Sequence, residues 1–175
     1  MTWEQFFNWL MLWEGRTVHS DPRDPGGQTA WGISRRYWPK WAGWELVDSG
    51  RFVDPRFESL VSEFYLAQYS DLWKAIPNRA NAVAVDTAIN MGRAYAIQCL
   101  QDGMNKLAGS RYVLVDGKIG PQTLAALKGV DAGALAYAMC ALRLAEYGRR
   151  GRQGDERRCF LDGWINRVRS LMEVI

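Results

Sequence analysis

The chain has 175 residues, 48% of them apolar and 23% charged, with a net charge of +3 and nine tryptophans. That length can bury a core within one domain, and no apolar run approaches the roughly 18 residues that span a bilayer, so stable membrane insertion is not expected. A single histidine, His19, leaves a zinc hydrolase short of ligands and a Ser/His or Cys/His hydrolase with one base only; no metal and no other cofactor is expected.

Residues 2–14 carry Trp3, Phe6, Phe7, Leu10 and Trp13 at helical spacing. Eleven steps of about 100° return Glu14 to within about 20° of Trp3, so a carboxylate is expected on the core-facing side of the last turn. Burial and the negative pole of the helix both penalise its ionised form there. Residues 15–34 contain Pro22, Pro25, Gly26 and Gly27, which forbid a helix and leave room for a small β-hairpin. Tyr37, Trp38, Trp41 and Trp44 read as short helical turns over 35–50. Asp54-Pro55 then opens a helix with Phe57, Leu60, Val61, Phe64 and Tyr65 on its apolar face, ending near Trp73. Helices follow over 79–92 and 93–108. Pro121 begins another, Asp131 caps one that runs to about Tyr147, and residues 160–175 close the chain. Trp3, Trp13 and Trp164 are assigned to the core. Cys99, Cys140 and Cys159 each lie in an apolar helical pattern and are expected as free buried thiols.

The charge is uneven. Residues 1–142 carry 14 basic and 14 acidic side chains, whereas Arg143 to Arg169 hold eight arginines against four acids. Such a segment suits contact with a polyanion: nucleic acid, a membrane surface or an anionic cell wall. No base-reading motif accompanies it, so nucleic acid is not expected.

Chemistry concentrates in WEGRTVHSDPRDPGGQTAWGIS, residues 13–34. Two carboxylates in unlike surroundings are the minimum for splitting a glycosidic bond, one protonated to donate to the leaving oxygen and one ionised to activate water. Glu14 suits the acid, and Asp24 or Asp21, in a polar turn stiffened by Asp-Pro pairs, suits its partner. The Thr29 hydroxyl is suited to holding a water. Gly26 and Gly27 let the backbone pass close to a polymer, and Trp31, in a polar stretch, is a candidate for stacking on a sugar. The same residues also compose an ordinary turn. A calcium loop starting at Asp21 fails because Arg23 and Pro25 stand where ligands are needed.

These residues resemble glycoside hydrolase family 108, N-acetylmuramidases of the lysozyme superfamily. The family pattern is a helix ending in Glu-Gly-Gly, then Asp-Pro-x-Asp-Pro-Gly-Gly, then Thr followed shortly by Gly-Ile. Glu14, Asp21, Asp24, Gly26, Gly27, Thr29, Gly32 and Ile33 fill those places, and Asp86, Asn90 and Gly92 match a central Asp-x-x-x-Asn-x-Gly. DGKIGPQTLAAL through FLDGWINRV is similar to the peptidoglycan-binding segment that accompanies the catalytic part. Arg16 departs from the second glycine of Glu-Gly-Gly, and the segment before the first Asp-Pro is one residue longer.

The resemblance implies a mainly α, lysozyme-like fold, with a 1–92 catalytic lobe and a 93–175 helical peptidoglycan-binding lobe packed as one compact domain. It also implies hydrolysis of the β-1,4 bond between N-acetylmuramic acid and N-acetylglucosamine. Glu14 would be the general acid and Asp24, with Thr29, would orient water, while Asp21, Gly27, Trp31 and Asn90 would contact the glycan. The implied partner is peptidoglycan, met by a monomer. With no export signal evident, an endolysin held in the host cytoplasm until a holin-type protein gives access to the wall is expected. Rival readings are a non-catalytic peptidoglycan-binding module and a Cys/His peptidase built on His19. The basic segment carries its own expectation: binding to purified walls weakens as salt rises towards physiological strength, and binding indifferent to salt would remove that contact.

Overall fold

Thr2 starts the first helix by a reciprocal cap. Its hydroxyl accepts from the Gln5 amide at 3.2 Å, and the Gln5 side chain accepts from the Thr2 amide at 2.8 Å. The computed structural model describes residues 1–20, 27–152 and 160–175. Helix α1, Trp3–Glu14, buries Phe6, Phe7, Trp9, Leu10 and Met11. Trp3 and Trp13, assigned to the core from their spacing, are only half-buried, as is Glu14. They lie within the same arc, at the two ends of the helix where the surrounding core thins. Trp164 is likewise half-buried, stacked between Tyr147 at 5.1 Å and Phe160 at 6.1 Å.

The chain then forms three two-residue antiparallel strands: β1, Val18–His19, β2, Thr29–Ala30, and β3, Ile33–Ser34. Val18 opposes Ala30 and Ala30 opposes Ile33, which puts these three apolar side chains on one face. His19, Thr29 and Ser34 share the other. Short helix α2, Trp44–Asp48, follows. Helix α3, Pro55–Ala75, buries Phe57, Val61, Tyr65 and Leu72 along one stripe. The Asp54 carboxylate accepts from the Arg56 amide at 2.8 Å at its start.

The contacts group into two units, residues 2–69 and residues 70–175 together with Met1, and the division falls within α3. Seven of the nine tryptophans belong to the first unit. Its core is largely aromatic: Trp41 meets Trp44, Phe57 and Phe64 edge-on at 5.2–5.9 Å, and Trp31 meets Phe57 edge-on at 5.4 Å.

The second unit is helical: α4, Ala80–Met91, α5, Arg93–Ala108, α6, Pro121–Leu127, α7, Ala132–Gly151, and α8, Leu161–Val174. Every residue of α4 from Ala80 to Ala88 is buried, so this helix has no solvent face over two turns. Its alanines and valines let α5 and α7 pack close. On α5, Gln101 and Asn105 occupy successive turns of one face and secure the chain that leads to α6. Gln101 Oε1 accepts from the amides of Asp116 and Gly117, while its Nε2 donates to Asp116 Oδ1 and the Lys118 carbonyl, at 2.8–3.0 Å. Asn105 does the same for Tyr112 and Val113. No single described helix is long and apolar enough to cross a membrane.

The basic C-terminal segment is not a simple cationic surface. Arg143 and Arg167 turn inward onto the fully buried carboxylate of Asp86. Arg167 donates to Asp86 Oδ1 from Nε at 2.9 Å and Nη2 at 2.6 Å, and Arg143 Nη1 donates to Oδ2. Arg149 and Arg150 share Glu146, whose carboxyl is held down to about 2, chiefly by the hydrogen bond from Arg149. The arginine count therefore overstates the positive charge that faces water, because apolar packing in this unit encloses a carboxylate that needs cations.

Burial alone would raise the Asp86 carboxyl, but the two guanidinium groups outweigh it and hold it below the usual carboxylate range. Its contribution to stability is thus complete above about pH 4, where the unfolded carboxyl ionises, and is lost as pH falls through the lower folded value. Asp86→Asn leaves two cations facing a neutral amide and should cost about 3–5 kcal/mol. Thermal melting followed from pH 7 to pH 2 checks both: the variant should melt lower at neutral pH and lose less than the wild type on acidification.

Candidate active site

Gly15, at φ 80°, ends α1 immediately after Glu14, with its amide donating to the Met11 carbonyl at 3.2 Å. The chain turns back at once, and the Thr17 carbonyl accepts from the Trp31 amide at 2.9 Å. Between β2 and β3 only Trp31 and Gly32 intervene, with φ of 47° and 82°. Two positive φ values in a two-residue connection are what a type I′ hairpin requires. For tryptophan that conformation costs roughly 1–2 kcal/mol, offset here by packing: Trp31 is buried, with Phe57 at its edge and the Arg16 guanidinium 4.9 Å from its ring centre.

Gly32 brings this turn against the carboxylate. A Cβ on Gly32 would overlap the Tyr65 hydroxyl and lie 3.1 Å from Glu14 Oε2 and 3.4 Å from Glu14 Cβ. Tyr65 is itself buried and donates from its hydroxyl to the Trp31 carbonyl at 3.0 Å. The end of α1, the tip of the β2–β3 turn and the middle of α3 thus converge on the Glu14 side chain. Arg16, where the family pattern has glycine, pairs with Glu58 of α3 at 2.7 Å while it covers the Trp31 ring.

Among the other expected site residues, Thr29 is half-buried on the face opposite Ala30, and its hydroxyl makes a long 3.4 Å contact to the Gly27 carbonyl. Gly27 has φ 66°, and among the described residues nothing lies within 4 Å of where its Cβ would stand. Asp21 and Asp24 lie outside the described residues, as does Cys159. Trp31 is not an open stacking platform: the positive φ of the turn directs its ring inward, against Phe57 and beneath Arg16. Asn90 belongs to the other unit, exposed at the end of α4, where its Oδ1 accepts from the Tyr147 hydroxyl at 2.5 Å. His19 is exposed on the sheet. Burial pushes the Cys99 thiol up to about 11 and that of Cys140 up to about 12, so neither offers a ready thiolate. Among the described residues no cluster of potential ligands could hold a metal.

Sequence reasoning placed Tyr65 on the apolar face of α3 but not its hydroxyl at the β2–β3 turn, and it gave no inward role to Arg143, Tyr147 or Arg167. Tyr65 sits at i+4 and i+8 from two apolar residues and carried no polar signal. Arg143 did carry one, since it interrupts the apolar series Leu135, Met139, Tyr147 at four-residue steps.

Residues 7–92 match the family model described as glycosyl hydrolase 108, and residues 95–169 match one described as a predicted peptidoglycan domain. The first half of the chain belongs to glycoside hydrolase family 108. The second half is a peptidoglycan-binding segment. No curated protein matches the chain. A solved structure of Brucella abortus SagA is similar in fold, with a TM-score of 0.67 over 98% of this chain and 91% of that one, at 24% identity. The fold is accordingly mainly α and lysozyme-like, with a small antiparallel sheet after the first helix. The family gives the protein a glycoside hydrolase function on peptidoglycan.

The approach of Gly32 to Glu14 has a direct test. Gly32→Ala places a methyl group against Glu14 and Tyr65 at a backbone angle alanine resists. It should destabilise the fold by about 1–3 kcal/mol and lower turnover of peptidoglycan up to ~100-fold through misplacement of the carboxylate. Melting temperature and kcat, measured on the same preparation, check the two effects.

Proposed function

We propose that the protein is a muramidase that hydrolyses the β-1,4 bond between N-acetylmuramic acid and N-acetylglucosamine, with Glu14 as the general acid. The observation that carries this reading is the seating of the Glu14 carboxylate against the bare Cα of Gly32, beside the buried Tyr65 hydroxyl. An acid that must deliver a proton to one oxygen of a polymer has to be held in place, and three elements hold this one. The family match over residues 7–92 includes it.

In the proposed reaction Glu14 donates its proton to the glycosidic oxygen as the bond to the anomeric carbon breaks. Asp24 accepts a proton from a water that Thr29 helps to orient, and that water adds to the opposite face of the sugar. The products are a reducing N-acetylmuramic acid end and a free hydroxyl on N-acetylglucosamine, with the anomeric configuration inverted. Asp21 and Gly27 contact the glycan near the reacting bond, and Asn90 donates a hydrogen bond to glycan from its exposed amide. Trp31 supports Glu14 through its turn and takes no part as a stacking surface.

Glu14→Gln keeps the shape of the side chain and removes its proton. The variant should release reducing ends from purified peptidoglycan at least ~1,000-fold more slowly than the wild type, with its melting temperature unchanged within about 2 °C. Substantial residual turnover would exclude Glu14 as the acid. Wall binding by a wild type that releases no reducing ends would favour the purely binding module.

A further inference from the structure

The hydrogen bonds of the second unit form a directed chain. Asp86 is ionised and can only accept, so both arginines donate to it. Arg143 has no acceptor atom, and its Nε donates to the Tyr147 hydroxyl at 3.0 Å. The tyrosine has one proton, which it gives to Asn90 Oδ1 at 2.5 Å. Each step fixes the next. The polarity that begins at the buried carboxylate ends by locking the Asn90 side chain with its carbonyl inward and its NH2 group outward, at an exposed position.

The two ends of this chain come from different segments. Asp86 and Asn90 lie in the region matched by the hydrolase family, whereas Arg143, Tyr147 and Arg167 lie in the peptidoglycan-binding segment. Tyr147 is 1% exposed, its ring stacked on Trp164, so the hydroxyl has little freedom to turn elsewhere. An exposed asparagine on an ordinary surface presents either end of its amide. This one presents a donor only, suited to an acetamido carbonyl or a ring hydroxyl of an amino-sugar polymer.

We infer that Tyr147 is a positioning residue for glycan recognition: it orients the Asn90 amide as a donor, so that the binding segment sets a contact made by the hydrolase segment. The inference rests on the reading of Asn90 as a glycan contact.

Four variants of the full chain test it: Tyr147→Phe, Asn90→Ala, Asn90→Asp and the Tyr147→Phe/Asn90→Ala double variant. KM and kcat on soluble glycan strands are measured alongside the binding of the same strands in a Glu14→Gln background, where no turnover intervenes. Tyr147→Phe and Asn90→Ala should each raise KM and the dissociation constant roughly five- to tenfold, with kcat little changed. The double variant should be no weaker than Asn90→Ala alone. Asn90→Asp, which keeps an acceptor for Tyr147 but presents oxygen outward, should bind as weakly as Asn90→Ala. Because residue 90 is exposed, that variant does not depend on how well the core tolerates the loss of a hydroxyl. Additive effects in the double variant, or wild-type affinity in Tyr147→Phe beside an impaired Asn90→Ala, would overturn the inference. Wild-type affinity in Asn90→Ala would remove the glycan contact itself. Failure of the muramidase reading would show separately, as a wild type without turnover.

Discussion

A carboxylate with no access to water has to be met by cations, and Asp86 is met by two. Their positions, 57 and 81 residues further along the chain, tie α4 to α7 and α8. Buried ion pairs seldom add stability beyond what apolar residues of equal volume would give, because desolvation is costly. What they add is a requirement. A neighbouring helix that slid by a turn would leave the charge unpaired, so one arrangement is strongly preferred over its near alternatives. The alanines and valines around Asp86 could pack in several ways; the ion triad selects among them.

The first unit is organised on another principle, aromatic packing around a strained turn. Trp31 accepts a left-handed backbone conformation because its ring is well housed, and Gly32 completes the turn where any side chain would strike Glu14 or Tyr65. Strain of this kind persists where the surroundings over-determine it. Here those surroundings are Phe57, Tyr65 and Arg16, and the part they hold still is the end of α1.

Helices were the most legible part of the sequence. Gly92 and Gly109 bracket α5 at the residues expected, and Pro55, Pro121 and Asp131 mark the starts of α3, α6 and α7, because caps and breakers act locally. Glu14 was legible for the same reason, as the last acid on an apolar stripe. Trp31 was not, because its burial follows from a left-handed turn conformation that is rare for tryptophan and that only the folded chain defines. Arg143 and Arg167 were read as surface charge; the apolar series around Arg143 marks it as inward-facing, but nothing local to either names a carboxylate so distant in sequence. The approach of Gly32 to Glu14 and Tyr65 joins three elements and exists only in three dimensions.

Helix α4 has a double allegiance. By recurrence it ends the hydrolase segment, and by packing it is the innermost helix of the unit that holds the wall-binding segment. Evolutionary or engineered exchange of residues 95–169 between relatives is therefore not a modular swap. An incoming segment without two arginines in register would strand the negative charge of Asp86 in the recipient's interior, and the graft would fail as a folding problem before its binding preference could be expressed.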